Sequence, residues 1–222
     1  MAIGFGAAGA RIQSVTTSNT PSLPTGTTQN DFLVAHVAHG ATTAISTPAG
    51  WNAGIDLTFS GYRMYFFWKF AGASESSPTF GVSDLGNFGV ISRYTGVPVR
   101  ADPFNVNPAA ATATFSTPNM QGAAIVPTLT ATMCVWLWTT NDNSTTGAAG
   151  GGATAAYSGA AYDWASTGAD ASMFSAYKSQ ATATTTNTIT IAASSGSATG
   201  CIRFALDPTP VAATNTRLFQ PF

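Results

Sequence analysis

The stretch Arg63-Met64-Tyr65-Phe66-Phe67-Trp68-Lys69-Phe70 decides the fold. In an extended chain successive side chains point to opposite faces. Met64, Phe66, Trp68 and Phe70 therefore share one face, and Arg63, Tyr65, Phe67 and Lys69 share the other. The first set is uniformly apolar and is predicted to face a core. The second mixes charge with aromatic surface, as a face partly covered by a loop or a partner would. A second stretch, Met133-Cys134-Val135-Trp136-Leu137-Trp138, is apolar on both faces. That is the pattern of a central strand covered on both sides.

Outward from these two stretches, strand signals dominate. Apolar, β-branched and aromatic residues gather at 12–17, 32–38, 62–71, 79–82, 88–94, 132–138, 172–178, 188–192 and 200–206. Most of these runs are bounded by Gly, Pro, Asn, Asp or Ser. No segment combines a sustained 3.6-residue apolar period with strong helix formers. The chain is predicted to be all-β. Its first half reads 32–38, Ala49-Gly50-Trp51, 62–71, 79–82 and 88–94; its second reads 132–138, Ala155-Ala156-Tyr157, 172–178, 188–192 and 200–206. The offset between them is about 100 to 110 residues, a faint internal repeat. Between them Pro98, Pro103, Pro108 and Pro118 punctuate a connector and discourage edge pairing there. The expected architecture is one jelly-roll-like antiparallel β-sandwich of two pseudo-repeated halves. Its boundaries are an N-terminal arm with a first strand at 1–29, a sandwich at 30–208, and a C-terminal arm at 209–222. Within the sandwich the halves run about 30–97 and 121–208, joined by the connector at 98–120.

Composition narrows function by exclusion. The 222 residues carry 8 Lys+Arg and 9 Asp+Glu, a net charge of −1 and a charged fraction of 8%, where ordinary globular chains reach about 25%. There is no basic stripe for a phosphate backbone, so no nucleic-acid partner is expected. Disorder would require low hydrophobicity with high net charge, and neither is present. The densest apolar run is broken by Arg63 and Lys69, far short of a membrane span. No positive segment precedes the first apolar residues, which predicts synthesis in the cytoplasm. In that setting Cys134 and Cys201 are expected as buried thiols, with a disulfide the alternative. A surface so poor in charge favours self-association.

Side chains that could converge on chemistry are scarce. His36 and His39 stand three apart, so a regular strand points them to opposite faces, and no metal site is expected. The nine acids, Asp31, Asp56, Glu75, Asp84, Asp102, Asp142, Asp163, Asp170 and Asp207, mostly sit in turn-like settings. No nucleophile elbow or phosphate loop is present, and neither an enzyme nor a cofactor is predicted. Trp51, Tyr62, Tyr157, Tyr162 and Trp164 lie in or beside loops. Trp51 is expected to plug its loop onto the sandwich; the alternative is a stacking platform for a saccharide, formed by Trp51, Tyr162 and Trp164.

One segment resembles a known pattern. Asn30-Asp31-Phe32-Leu33-Val34-Ala35-His36-Val37, Thr47-Pro48-Ala49-Gly50-Trp51, Tyr65-Phe66-Phe67-Trp68-Lys69 and Val90-Ile91-Ser92-Arg93-Tyr94-Thr95-Gly96-Val97 resemble a pattern common among tailed-bacteriophage structural proteins. The resemblance covers about 30–100 and carries turn and core signatures; the second half lacks the Gly-Trp and Tyr-x-Gly-Val motifs. It implies a virion protein on the capsid surface, a decoration or cement protein that bridges capsomers. A tail accessory or receptor- or carbohydrate-binding module is the alternative. The partners implied are the major capsid protein or other virion proteins, with three copies around a symmetry axis. The arms would then reach neighbouring subunits through Phe5, Arg11, Leu218, Phe219 and Phe222.

Overall fold

A computed structural model describes residues 2–14, 16–40, 43–81, 87–114, 119–140, 152–157, 162–163, 170–192 and 198–209. These residues form strands and connections, with no helix among them. In chain order the strands are β1 (Gly4–Ala8), β2 (Ile12–Ser14), β3 (Ser18–Asn19), β4 (Phe32–His39), β5 (Asn52–Phe59), β6 (Tyr62–Phe70), β7 (Phe80–Gly81) and β8 (Asn87–Thr95). The second half supplies β9 (Phe104–Thr114), β10 (Asn119–Gly122), β11 (Thr132–Thr140), β12 (Thr154–Tyr157), β13 (Tyr162–Asp163), β14 (Asp170–Gln180), β15 (Ile189–Ala192) and β16 (Ala198–Leu206).

Two antiparallel six-stranded sheets face each other. One runs β1-β8-β4-β6-β5, with β2 also on β8; the other runs β12-β14-β11-β16-β9, with β13 also on β14. Each sheet comes from one half of the chain. Successive strands stay within a sheet, whereas a jelly roll passes them between its two sheets. Read from opposite ends, the sheets share one order of connections: β4 and β11 central, β6 and β14 on one flank, β8 and β16 on the other, β5 and β12 at one edge. The sheets stack with this order reversed. His36 of β4 meets Thr139 of β11, Phe66 of β6 stacks on Phe204 of β16 at 4.7 Å, and β5 lies against β9. β4 thus faces β11 at the centre of the sandwich, with β6 against β16 and β5 against β9.

Both faces of each sheet are apolar, so each sheet needs two covers. The inner core joins Phe32, Val34, Met64, Phe66, Val90 and Tyr94 to Met133, Val135, Leu137, Ile202, Phe204 and Leu206. Burial of Met64 and Phe66, with Trp68 and Phe70 packed against them, follows the alternation read from β6. The other face of β6 lies under its own loops: Tyr65 and Phe67 join Leu33, Val37, Ile45, Trp51, Phe80 and Ile91 in a second cluster. The two-stranded β3–β7 ribbon belongs to this cover. On the far side the β10–β15 ribbon and residues 123–127 cover Cys134, Trp136, Trp138 and Phe174, with Ile125 and Ile189 buried there. The ribbon approaches so closely that a Cβ on Gly122 would lie 2.5 Å from the Trp136 ring.

Local turn chemistry fits this frame. The β5–β6 hairpin turns through Ser60 and Gly61, with φ of 43° and 82°. Positive φ at both central residues is the two-residue turn whose twist matches a hairpin. The segment before residue 30, expected as an arm with a first strand at 12–17, supplies β2 within that stretch and β1 ahead of it, both bonded along β8. The proline-punctuated connector supplies β9, paired with β16 from Phe104 to Thr114. Pro108 falls where that register shifts, at a position where no ladder donor is needed.

His36 is a titratable side chain buried at the inner core, 1% exposed, with its Nε2 2.9 Å from Thr139 Oγ1. Burial lowers its pKa to about 3, against 6.5 in an open chain. Between these values the unfolded chain binds a proton that the folded chain does not. This contribution to stability is therefore complete above pH 6.5 and declines as pH falls toward 3, by about 1.4 kcal/mol per unit. Denaturant unfolding at pH 6.5 and pH 5 should show a loss of about 2 kcal/mol from this group. In H36Q that part of the slope should vanish; equal slopes in both chains would refute the assignment.

Candidate functional site

The charges are used to pin loops. The Asp31 carboxylate accepts bonds from Thr28 N at 2.8 Å and from Arg93 Nη1 at 3.2 Å, and the Arg93 guanidinium also reaches the Gly26 carbonyl. Lys69 Nζ lies 2.8 Å from Glu75 Oε1, while Glu75 Oε2 accepts from Gly72 N. Arg63 pairs with Asp56 across the β5–β6 hairpin. Arg100 Nη1 bonds Asp207 Oδ2 at 2.8 Å, tying the start of the connector to the end of β16. Asp102 accepts from Phe104 N. Every acid whose side chain is described thus holds a turn, a loop or a strand end. The side chains of Asp84, Asp142, Asp163 and Asp170 lie outside the described residues.

The residues expected to mediate contacts fare differently from one another. Phe5 does not extend outward. Its ring stacks on Tyr177 at 4.6 Å and meets Tyr94 edge-on at 5.6 Å, so β1 bridges the edges of both sheets. The chain's own body holds this segment, because its strand bonds to β8 and its single large side chain fits between two tyrosines. Arg11 is exposed between β1 and β2. Leu218, Phe219 and Phe222 lie outside the described residues, as does Trp164. Tyr162 belongs to β13, opposite Ala171, and its side chain is outside the described set.

Trp51 is 7% exposed and meets Phe80 edge-on at 5.9 Å, with Lys69 Nζ 5.8 Å above its ring. A ring buried in this way offers no face to a sugar, which corrects its place in the platform and leaves it as the plug of its loop. Tyr62 is also largely buried, stacked near Phe59.

Titratable groups are dispersed. No group of three His, Cys, Asp or Glu is placed to hold a metal among the described residues. His36 faces the inner core and His39 the opposite side of β4, within 6.5 Å of the Tyr65 ring. Cys134 and Cys201 are free and buried. In the β11–β16 register Cys134 opposes Ala205 and Cys201 opposes Trp138. That offset separates the two thiols by about 13 Å along the strands, beyond the reach of a disulfide. Burial pushes the Cys134 thiol up to about 11 and Cys201 to about 12. Both are inert as nucleophiles near neutral pH.

What the sequence did not flag is the edge of the second sheet. β9 is eleven residues long, and no strand among the described residues pairs with its outer side. Its lack of charge over 104–114 was the available signal, hidden by Pro108 and by an Ala/Thr composition without apolar alternation. At its start Phe104 is an edge-to-face hub for Trp68 at 5.6 Å, Phe66 at 5.9 Å and Phe204 at 5.6 Å. No family model, curated protein or solved structure matches the chain.

Two substitutions separate internal anchors from external ones. W51A should lower unfolding stability by about 3–5 kcal/mol, the usual cost of emptying an aromatic core site. F5A should cost about 1–2 kcal/mol, since its ring is only partly buried. In denaturant titrations both losses should be the same at every protein concentration. A loss for F5A that grows with concentration would place its ring against a neighbouring molecule instead.

Proposed function

We propose that this chain is a virion structural protein, a capsid decoration or cement protein that sits on the shell and bridges capsomers. Its partners would be copies of itself and the major capsid protein or other virion proteins. The observation that carries the reading is the disposition of charge. Among the described residues four basic side chains form internal ion pairs, Arg63–Asp56, Lys69–Glu75, Arg93–Asp31 and Arg100–Asp207. Three of them hold loops or strand ends and one spans the β5–β6 hairpin, and the chain as a whole is only 8% charged. So low a charge content is a solubility liability for a dispersed molecule and an advantage in a dense array, where neighbours cover the surface. The resemblance of residues 30–100 to phage structural proteins supports the same reading. A saccharide platform has lost Trp51 to the core, so no observation favours the receptor-binding alternative.

The test is to image particles carrying an epitope-tagged copy of this chain. Label is expected over the capsid shell, and particles lacking the chain should break open at a lower temperature. Label confined to the tail would overturn the capsid role, and unlabelled particles would overturn the virion role altogether.

A further inference from the structure

The sheet edges are unequal. A sheet edge presents unpaired N–H and C=O groups, and natural proteins blunt it with bulges, charges, prolines or short strands. The edge at β5 has a register shift between Ala53 and Asp56 and carries the Arg63–Asp56 pair. At β1 and β2 the edge strands are five and three residues long, with a shift between Phe5 and Ala7. At β12 the edge has four residues and a shift between Ala155 and Tyr157. On β9, by contrast, the irregularity and Pro108 fall before residue 109. From there Ala109, Ala110, Ala111, Thr112, Ala113 and Thr114 oppose Arg203, Ile202, Cys201, Gly200, Thr199 and Ala198 without interruption. These six residues carry no charge, and Ala111 and Thr112 are exposed. The blunting devices of β9 thus lie in its first half, and 109–114 is left as a six-residue uncharged stretch of edge in unbroken register.

We infer that residues 109–113 of β9 pair antiparallel with the same residues of a second copy, joining the two C-terminal sheets across a two-fold axis. A strand meets itself antiparallel only about such an axis, and the contact then closes at two copies. The three-fold association expected from the sequence would need β9 to meet a different edge, and the other three are blunted. A net charge of −1 leaves little repulsion between copies. A two-fold axis through the sheet keeps each side chain on its own face, so the central residue opposes itself; with the axis on residue 111, Ala111 of one copy opposes Ala111 of the other and 109–113 pair with 113–109. This rests on the assembly role proposed above, and the two fail separately: a monomer that still labels the shell overturns the pairing alone.

Sedimentation of the full chain across a concentration series is expected to show a dimer. A111K sets like charges opposite each other across the axis and should weaken dimerisation at least about tenfold. An equimolar mixture of A111K and A111E sets Lys opposite Glu and should recover the dimer. T58K, on the exposed side of β5, should leave association unchanged. A monomer or trimer at every concentration, or a mixture that associates no better than A111K alone, would overturn the proposal. If A111K fails to fold by circular dichroism, A111E must lose the dimer in its place; an A111E dimer as tight as that of the unchanged chain overturns it equally.

Discussion

The constraint on which the structure depends is that both sheets are apolar on both faces. Tyr65 and Phe67 on β6, and Cys134, Trp136 and Trp138 on β11, point away from the shared inner core, and each is buried. An aromatic side chain buries some 150–250 Å², so leaving one of these faces open would expose an apolar patch of a size soluble monomers rarely tolerate. The halves cover each other on the inside and must cover themselves on the outside. That second demand explains the long excursions between strands, the β3–β7 and β10–β15 ribbons, and the work assigned to the few charges. A loop that lies on an apolar sheet gains little direction from hydrophobic contact, which is non-directional. Asp31, Glu75 and Asp207, each bonded to a cation and to a backbone N–H, supply that direction.

How much of this was legible in the sequence depends on whether a strand is half-buried or fully buried. The alternation in β6 and the unbroken apolar run in β11 are direct signatures, and both strands lie where the pattern put them. The outer cover of β6 was legible as well, because a mixed aromatic and charged face is uneconomical in water. The edge strands were not. β5 reads Asn-Ala-Gly-Ile-Asp-Leu-Thr-Phe, with Gly54 inside it, and β9 reads mostly Ala, Asn and Thr. An edge strand is specified by its neighbour's unpaired backbone more than by its own side chains, so local composition says little about it. Gly54 shows the packing reason: a Cβ there would lie 2.2 Å from the Phe66 ring.

The candidate site was legible only in part, and for a related reason. Phe5 stood out as an isolated aromatic in a Gly/Ala segment, which read as an outward anchor. The sequence could not tell that Tyr94 and Tyr177, eighty-three positions apart, would be brought together by the stacking of β8 on β14. Trp51 read correctly as a plug because its Ala-Gly turn and the aromatic β6 lie close in the chain. The contrast is one of range. Contacts made within one half leave a trace in spacing, while contacts between the halves depend on how two sheets stack.

That stacking also bears on the kind of assembly the fold permits. In the shared order of connections β1 and β9 hold equivalent places, each at the edge beside the last strand of its half. Their treatment differs. Along β8 the equivalent edge is split into β1 and β2 by residues 9–11, where Gly9 N bonds Ile91 O and a Cβ on Gly9 would run into the Ser22 carbonyl. Along β16 the edge has its irregularities before residue 109 and then runs in unbroken register to Thr114. Were both edges straight and open, each copy would carry two sticky borders, and strand pairing could propagate from copy to copy as an open fibre. Breaking one and leaving the other open removes that route, because a molecule with one such border has nothing further to offer once it is paired. The closed contact proposed for β9 thus draws on the place where the two edges differ.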